Sequence, residues 1–260
     1  MIAALARAGA PVRARLTTLV ELSVLLWVTL RALLRRPLEG LGELRAVTVR
    51  QMIFTGWDAM PLIALIALSI GAIVVMQAAT FLPELGGEAL IGQILVLVVL
   101  KELGPILTAF VVIARSGAAM TIELGYMQVQ SEIEALVTMG IDPLKLLIAP
   151  RIIGCALSVL CLTVLFDVVA FLGGFCFAAF AGRSFSSLLT NLLAAIQLKD
   201  IAVGTTKALT FGVIIATVAC LQGLSVRRSI TEVPQVTIRA VVSSLFYCMA
   251  VSVVLTVLAL

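Results

Sequence analysis

Apolar residues in this chain run in long stretches rather than in the three-and-four spacing of a helix that shows one face to water. The stretches cover about residues 59 to 80, 89 to 114, 147 to 180, 202 to 224 and 238 to 260. Each reaches the roughly 20 residues that a helix needs to cross a bilayer. The pattern predicts an all-α integral membrane protein with five transmembrane helices. The third stretch is too long for one straight crossing and too short for two, so it predicts one long or broken helix ending about Gly173 and Gly174. Ahead of the first stretch, LTTLVELSVLLWVTLRALLRR mixes apolar residues with Glu21 and Arg31 and lacks a clear small-residue cleavage site. It predicts an amphipathic helix in the cytoplasmic interface, anchored by Trp27, with a sixth span over residues 16–34 as the alternative.

Basic residues then orient the spans, because cytoplasmic flanks retain positive charge. Eight arginines precede the first span, and Arg115, Lys145, Arg151, Arg227, Arg228 and Arg239 flank the later spans on the same side. The other side carries only Arg183 and Lys199, and FLPELGGE between the first two spans has no basic residue. The N-terminus is therefore expected inside and the C-terminus outside. No internal repeat or Gly/Ser linker divides the chain, so residues 1–260 read as one membrane domain: an N-terminal segment to about 50, then a five-span core from about 51 to 260.

Composition narrows the chemistry. Hydrophobic residues make up 62% and charged residues 12%, against roughly 45–50% and about 25% in soluble domains. There is no histidine, which excludes histidine-based catalysis and removes the commonest transition-metal ligand. The five cysteines lie in apolar stretches without a CxxC pair and read as small buried hydrophobes. No catalytic or metal-ligating set is expected.

The exception to this apolar background is KELGP, from Lys101 to Pro105. An ionisable residue inside a bilayer is costly and marks a functional site by default. Pro105 removes a backbone donor and Gly104 weakens helix preference, so the second span is expected to break or kink there. Irregular backbone at membrane depth is tolerated only against protein or a watery cavity. Lys101, Glu102, Leu103, Gly104 and Pro105 thus form a candidate substrate cavity; an ion pair that only locks helices is the other reading. Asp167 and Lys207, in the third and fourth spans, are read as a structural pair or as further polar lining.

Between the second and third spans, RSGAAMTIELGYMQVQSEIEALVTMGIDPLKLLIAPR is the longest cytoplasmic connection. Ser131 with Glu134 has the form of a capping box, and Gly140 stands where a helix would stop. A short helix from about 132 to 139 should carry Ile133, Leu136 and Val137 on one face. Asp142 and Pro143 read as the N-cap and first turn of the next helix. The short helix either lies on the membrane surface or docks into a cytoplasmic partner.

The stretch from Lys101 to Arg151 resembles the signature region of the MlaE-type permease family, the membrane subunits of lipid ABC transporters that work with MCE-domain proteins. The matching pieces are Glu102 to Pro105, Arg115 to Ala118, Glu123 to Met127, Glu132 to Leu136, Met139 to Pro143, and Pro150 with Arg151. Looser similarity covers about residues 40 to 260. Lys101 stands where the family often has arginine, and SVRRSITEVPQVTIRAVV is less rich in glycine and threonine than the usual loop before the last span.

The resemblance implies a bacterial inner-membrane homodimer that moves phospholipid or a related lipid. It implies an MCE-domain protein on the periplasmic face and a cytoplasmic ATPase docked through a coupling helix around Glu132, Ile133, Glu134 and Leu136, with Met139 and Asp142 beside it. In some systems a small STAS-domain protein joins the ATPase. ATP would be bound by that partner, in keeping with the lack of a GxxxxGK[ST] loop in this chain. The rival reading is a stand-alone secondary carrier or channel that uses Lys101, Glu102, Asp167 and Lys207 as a relay.

Overall fold

A computed structural model describes residues 20–29, 31, 41–84, 91–180, 185–226 and 229–259. Among them the chain is helical throughout its regular structure and contains no strand. We number the helices α1 (Val20–Thr29), α2 (Leu41–Gly56), α3 (Met60–Glu84), α4 (Gly92–Val129), α5 (Glu132–Thr138), α6 (Ala149–Phe180), α7 (Phe185–Ala195), α8 (Leu198–Leu224) and α9 (Val233–Leu258). Among the described residues, five stretches are long and apolar enough to cross a membrane: Arg45–Ala78, Gly92–Val129, Leu144–Ala179, Leu198–Leu224 and Ile230–Leu258. The protein is an all-α, multi-pass membrane protein.

Three boundaries differ from the sequence reading. The helix of the second span does not end at Arg115 but continues to Val129, and Met120, Thr121, Leu124 and Gly125 of this continuation are buried. The third is one unbroken helix that passes Gly173 and Gly174 and runs on to Phe180. Those glycines serve close approach rather than termination. A Cβ on Gly174 would strike Val75 and the Gly71 carbonyl, and one on Gly71 would strike the backbone of Ala170. In a bilayer, where helices gain nothing by leaving oil for oil, such backbone proximity supplies the packing energy that holds α3 to α6.

The third difference concerns α1. Leu22, Ser23 and Leu26 line a groove with Val213 and Val218 of α8 and Tyr247 and Val251 of α9, and Leu25 packs on the main core. Its described turns therefore lie beside the middle of two spans, where apolar contact outweighs immersion among head groups. Residues 16–19, 30 and 32–34 of the expected interfacial helix lie outside the described residues.

At the end of the bundle that carries Lys145 and Arg151, α5 closes with a complete Schellman motif. The Ile141 N–H donates to Leu136 O at 3.0 Å and the Gly140 N–H to Val137 O at 3.0 Å, with Gly140 at φ +75°. The next helix opens as read from the sequence: Asp142 Oδ1 accepts from the Leu144 N–H at 3.0 Å, with Pro143 in the first turn. The capping box does not form. Ser131 adopts φ 58°, ψ 19° and makes no side-chain cap bond, whereas a capping hydroxyl needs extended backbone to reach the first free amides. Replacing Gly140 by alanine forces a Cβ into the left-handed region at about 1–2 kcal/mol. It is expected to loosen α5 alone, seen as faster amide exchange at Gly140 and Ile141 with the spans unchanged.

Candidate intramembrane charge cluster

The cluster begins with a missing hydrogen. In a regular helix the N–H of residue 105 would bond to the carbonyl of residue 101, but Pro105 has none. The chain does not break; it widens into a π-helical segment, Val96–Leu103, in which the Gly104 N–H reaches back to Val99 O. The freed Lys101 carbonyl accepts instead from Lys207 Nζ of α8 at 3.1 Å.

Lys207 is 0% exposed, and its ammonium carries three donors. The remaining two find Glu102 Oε1 at 2.6 Å and Thr256 Oγ1 of α9 at 2.8 Å. Thr256 Oγ1 in turn lies 2.9 Å from Glu102 Oε1 and 2.8 Å from Ser252 O. Lys101, next in sequence to Glu102, turns to a different partner: its Nζ meets Asp200 Oδ1 at 2.6 Å, with side chains 19% and 6% exposed. The other Asp200 oxygen accepts from the Gln197 N–H at 3.1 Å, closing a capping box that starts α8. Asp200 and Lys207, two turns apart on one helix, thus compensate Lys101 and Glu102, and the four formal charges cancel. A buried charge is tolerable on these terms, when paired and with its remaining hydrogen-bonding capacity filled.

Asp167 stands apart. Sequence reasoning offered it to Lys207, but all three Lys207 donors are taken by α4 and α9. Asp167 Oδ1 presses instead against Gly104, where a Cβ would collide with it. Among the described residues it has no hydrogen-bond partner, and neither has Thr108 Oγ1. Gly104 therefore admits a carboxyl group of α6 to the surface of α4.

Of the expected cavity residues, Gly104 and Pro105 are buried in helix packing, Leu103 and Glu102 are half-buried, and Lys101 lines a cavity of about 450 Å³ with Gln93, Leu97, Gln197, Lys199 and Asp200. The expected coupling residues lie at the opposite end of the bundle. Glu132, Glu134, Met139 and Asp142 are exposed, Ile133 and Leu136 half-buried, and no residue of α5 is buried. Asp200 and Thr256 escaped sequence reasoning. The spacing of Gln197 and Asp200 was a legible capping signal for the first; nothing local marks the second.

Comparison with known proteins agrees with this architecture. The family model for the MlaE permease matches residues 48–258. A Haemophilus influenzae protein, the intermembrane phospholipid transport system permease protein MlaE, is 30% identical over 212 residues, covering 80% of each chain. A probable ABC transporter permease of Synechocystis is 33% identical over 202 residues, 77% of each chain. The chloroplastic protein TRIGALACTOSYLDIACYLGLYCEROL 1 of Arabidopsis thaliana is 31% identical over 199 residues, 76% of this chain and 57% of its own. With five membrane-length helices, a charged cluster at one end and a family match over four-fifths of its length, this chain belongs to the MlaE permease family.

Proposed function

We propose that this chain is the permease subunit of an ABC transporter that moves phospholipid or a related lipid between the bacterial inner membrane and an MCE-domain protein. Two copies form the membrane unit, and a separate cytoplasmic ATPase, with a STAS-domain protein in some assemblies, binds ATP and drives it. The end carrying Lys145, Arg151 and Arg239 faces the cytoplasm, in keeping with the distribution of basic residues. The N-terminus is then cytoplasmic and the C-terminus periplasmic.

The observation that carries this reading is the state of α5. It is short and sharply stopped at Gly140, none of its residues is fully buried, and Val137, Met139 and Ile141 are presented outward. It is joined through Gln130 and Ser131 to α4 and through residues 139–143 to the helix that becomes α6. Force applied to α5 therefore acts on the two helices that hold Lys101, Glu102 and Asp167. The cluster at the far end presents charge beside Leu97 and Ile94, a lining suited to a lipid head group with its chains against apolar wall.

Changing Glu134 or Leu136 to arginine is expected to weaken ATPase capture by about thirtyfold, the effect of losing a central contact worth about 2 kcal/mol, with membrane insertion unchanged. Affinity purification with the ATPase measures it. Undiminished capture by both variants would count against the coupling role. The unpartnered Asp167 favours a stand-alone ion-coupled carrier. The closed pairing of Lys101, Glu102 and Lys207 speaks against a relay through those three.

A further inference from the structure

A second polar site lies away from the cluster. Arg115 Nη2 meets Asp58 Oδ2 at 2.8 Å, with both side chains more than a third exposed, and Arg115 Nη1 reaches Phe54 O at 3.4 Å. The pair opens into a shallow, open groove of about 730 Å³ walled by Trp57, Met60, Pro61, Ala64 and Leu165.

Depth identifies the surroundings. Asp58 directly precedes the apolar run over residues 59 to 80, and Arg115 directly follows the run over residues 89 to 114. At the helical rise of 1.5 Å per residue each run spans roughly 33–39 Å, about one hydrocarbon thickness. The ion pair therefore stands at the head-group level, where the exposed indole of Trp57 is at home.

We infer that the Arg115–Asp58 groove binds the head group of a zwitterionic phospholipid from the leaflet at this end of the bundle. Arg115 offers a planar fork to the phosphate, and Asp58 with Trp57 offers an anion and a π face to the amine. Met60, Pro61, Ala64 and Leu165 take the first carbons of the chains. A purely anionic lipid would satisfy Arg115 but place its charge beside Asp58 with nothing for the carboxylate to hold. The inference does not rest on the transport reading, since the head group would bind with no ATPase present.

Trp27 and Trp57 are the two tryptophans of the chain, so Trp27→Phe leaves Trp57 as sole reporter. The protein in detergent micelles is titrated with short-chain phosphatidylcholine and, separately, short-chain phosphatidylglycerol, reading Trp57 emission. A saturable response is expected, tighter for the choline lipid by about tenfold, the worth of one cation–π contact of a quaternary ammonium. Asp58→Asn should erase that preference, and Arg115→Gln should weaken both lipids about tenfold. Because these changes remove a link between α4 and the turn that joins α2 to α3, Ala64→Phe is the companion: it fills the groove, leaves the ion pair intact and should abolish saturation with elution volume and helicity unchanged. Equal response to both lipids, or an unaltered response in Ala64→Phe, overturns the inference.

Discussion

Replacing Lys207 with methionine is expected to destabilise the fold by up to about 3 kcal/mol, the lower end of the cost of breaking a buried ion pair, because the stranded Glu102 keeps 31% of its side chain exposed. Lys207 is fully buried, and its ammonium meets the Lys101 carbonyl, Glu102 and Thr256 at once. Its loss leaves the Glu102 carboxylate with the Thr256 hydroxyl alone, and it empties the Lys101 carbonyl that Pro105 had already deprived of an amide. Methionine matches the stem in length, so the effect isolates charge from volume. The double change Lys207→Met with Glu102→Leu should recover most of the stability, because an apolar pair of similar size often does as well as a buried ion pair. It should not recover transport. Denaturation midpoints of the detergent-purified single and double variants measure this, and a neutral single variant would mean that the pair is not closed as described.

Gly71→Val is expected to be the most damaging apolar change, at or above the roughly 3 kcal/mol upper range for overpacking. A Cβ at Gly71 meets backbone atoms of Ala170, which no rotamer change can clear, so α3 and α6 must part along their seam. Gly56→Ala is the matched control. Its nearest neighbour would be Ser158 Oγ at 3.7 Å, an ordinary contact, and alanine favours the helix by about 1 kcal/mol. Elution profile and helical signal in detergent should fall for the first and hold for the second. Equal behaviour would contradict the tight α3–α6 crossing.

What the sequence disclosed follows from how local each signal is. Five long apolar runs and the stop at Gly140 depend on neighbours within a few residues, and both were legible. The continuation of the second helix to Val129 was not, because the apolar run stops at Arg115 and the burial of Met120 and Leu124 depends on helices distant in sequence. The significance of Lys101 and Glu102 could be read from cost alone. Their partners could not: Lys207 and Thr256 lie 105 and 154 residues from Glu102, and no periodicity links them. Pairing Asp167 with Lys207 from similar depth failed for a related reason, since depth fixes level and says nothing of which helix face each side chain occupies. Pro105 predicts a break or a kink; the helix stays continuous through the π segment Val96–Leu103, and the spare carbonyl becomes a ligand for Lys207.

The most direct test is lipid transfer in proteoliposomes that hold this chain with the proposed cytoplasmic ATPase and MCE-domain partner, following a labelled phospholipid. The account predicts transfer that requires ATP hydrolysis, is indifferent to proton and sodium gradients, and falls at least about tenfold when Leu136→Arg weakens the ATPase contact. Flux driven by an ion gradient with the ATPase absent would contradict it.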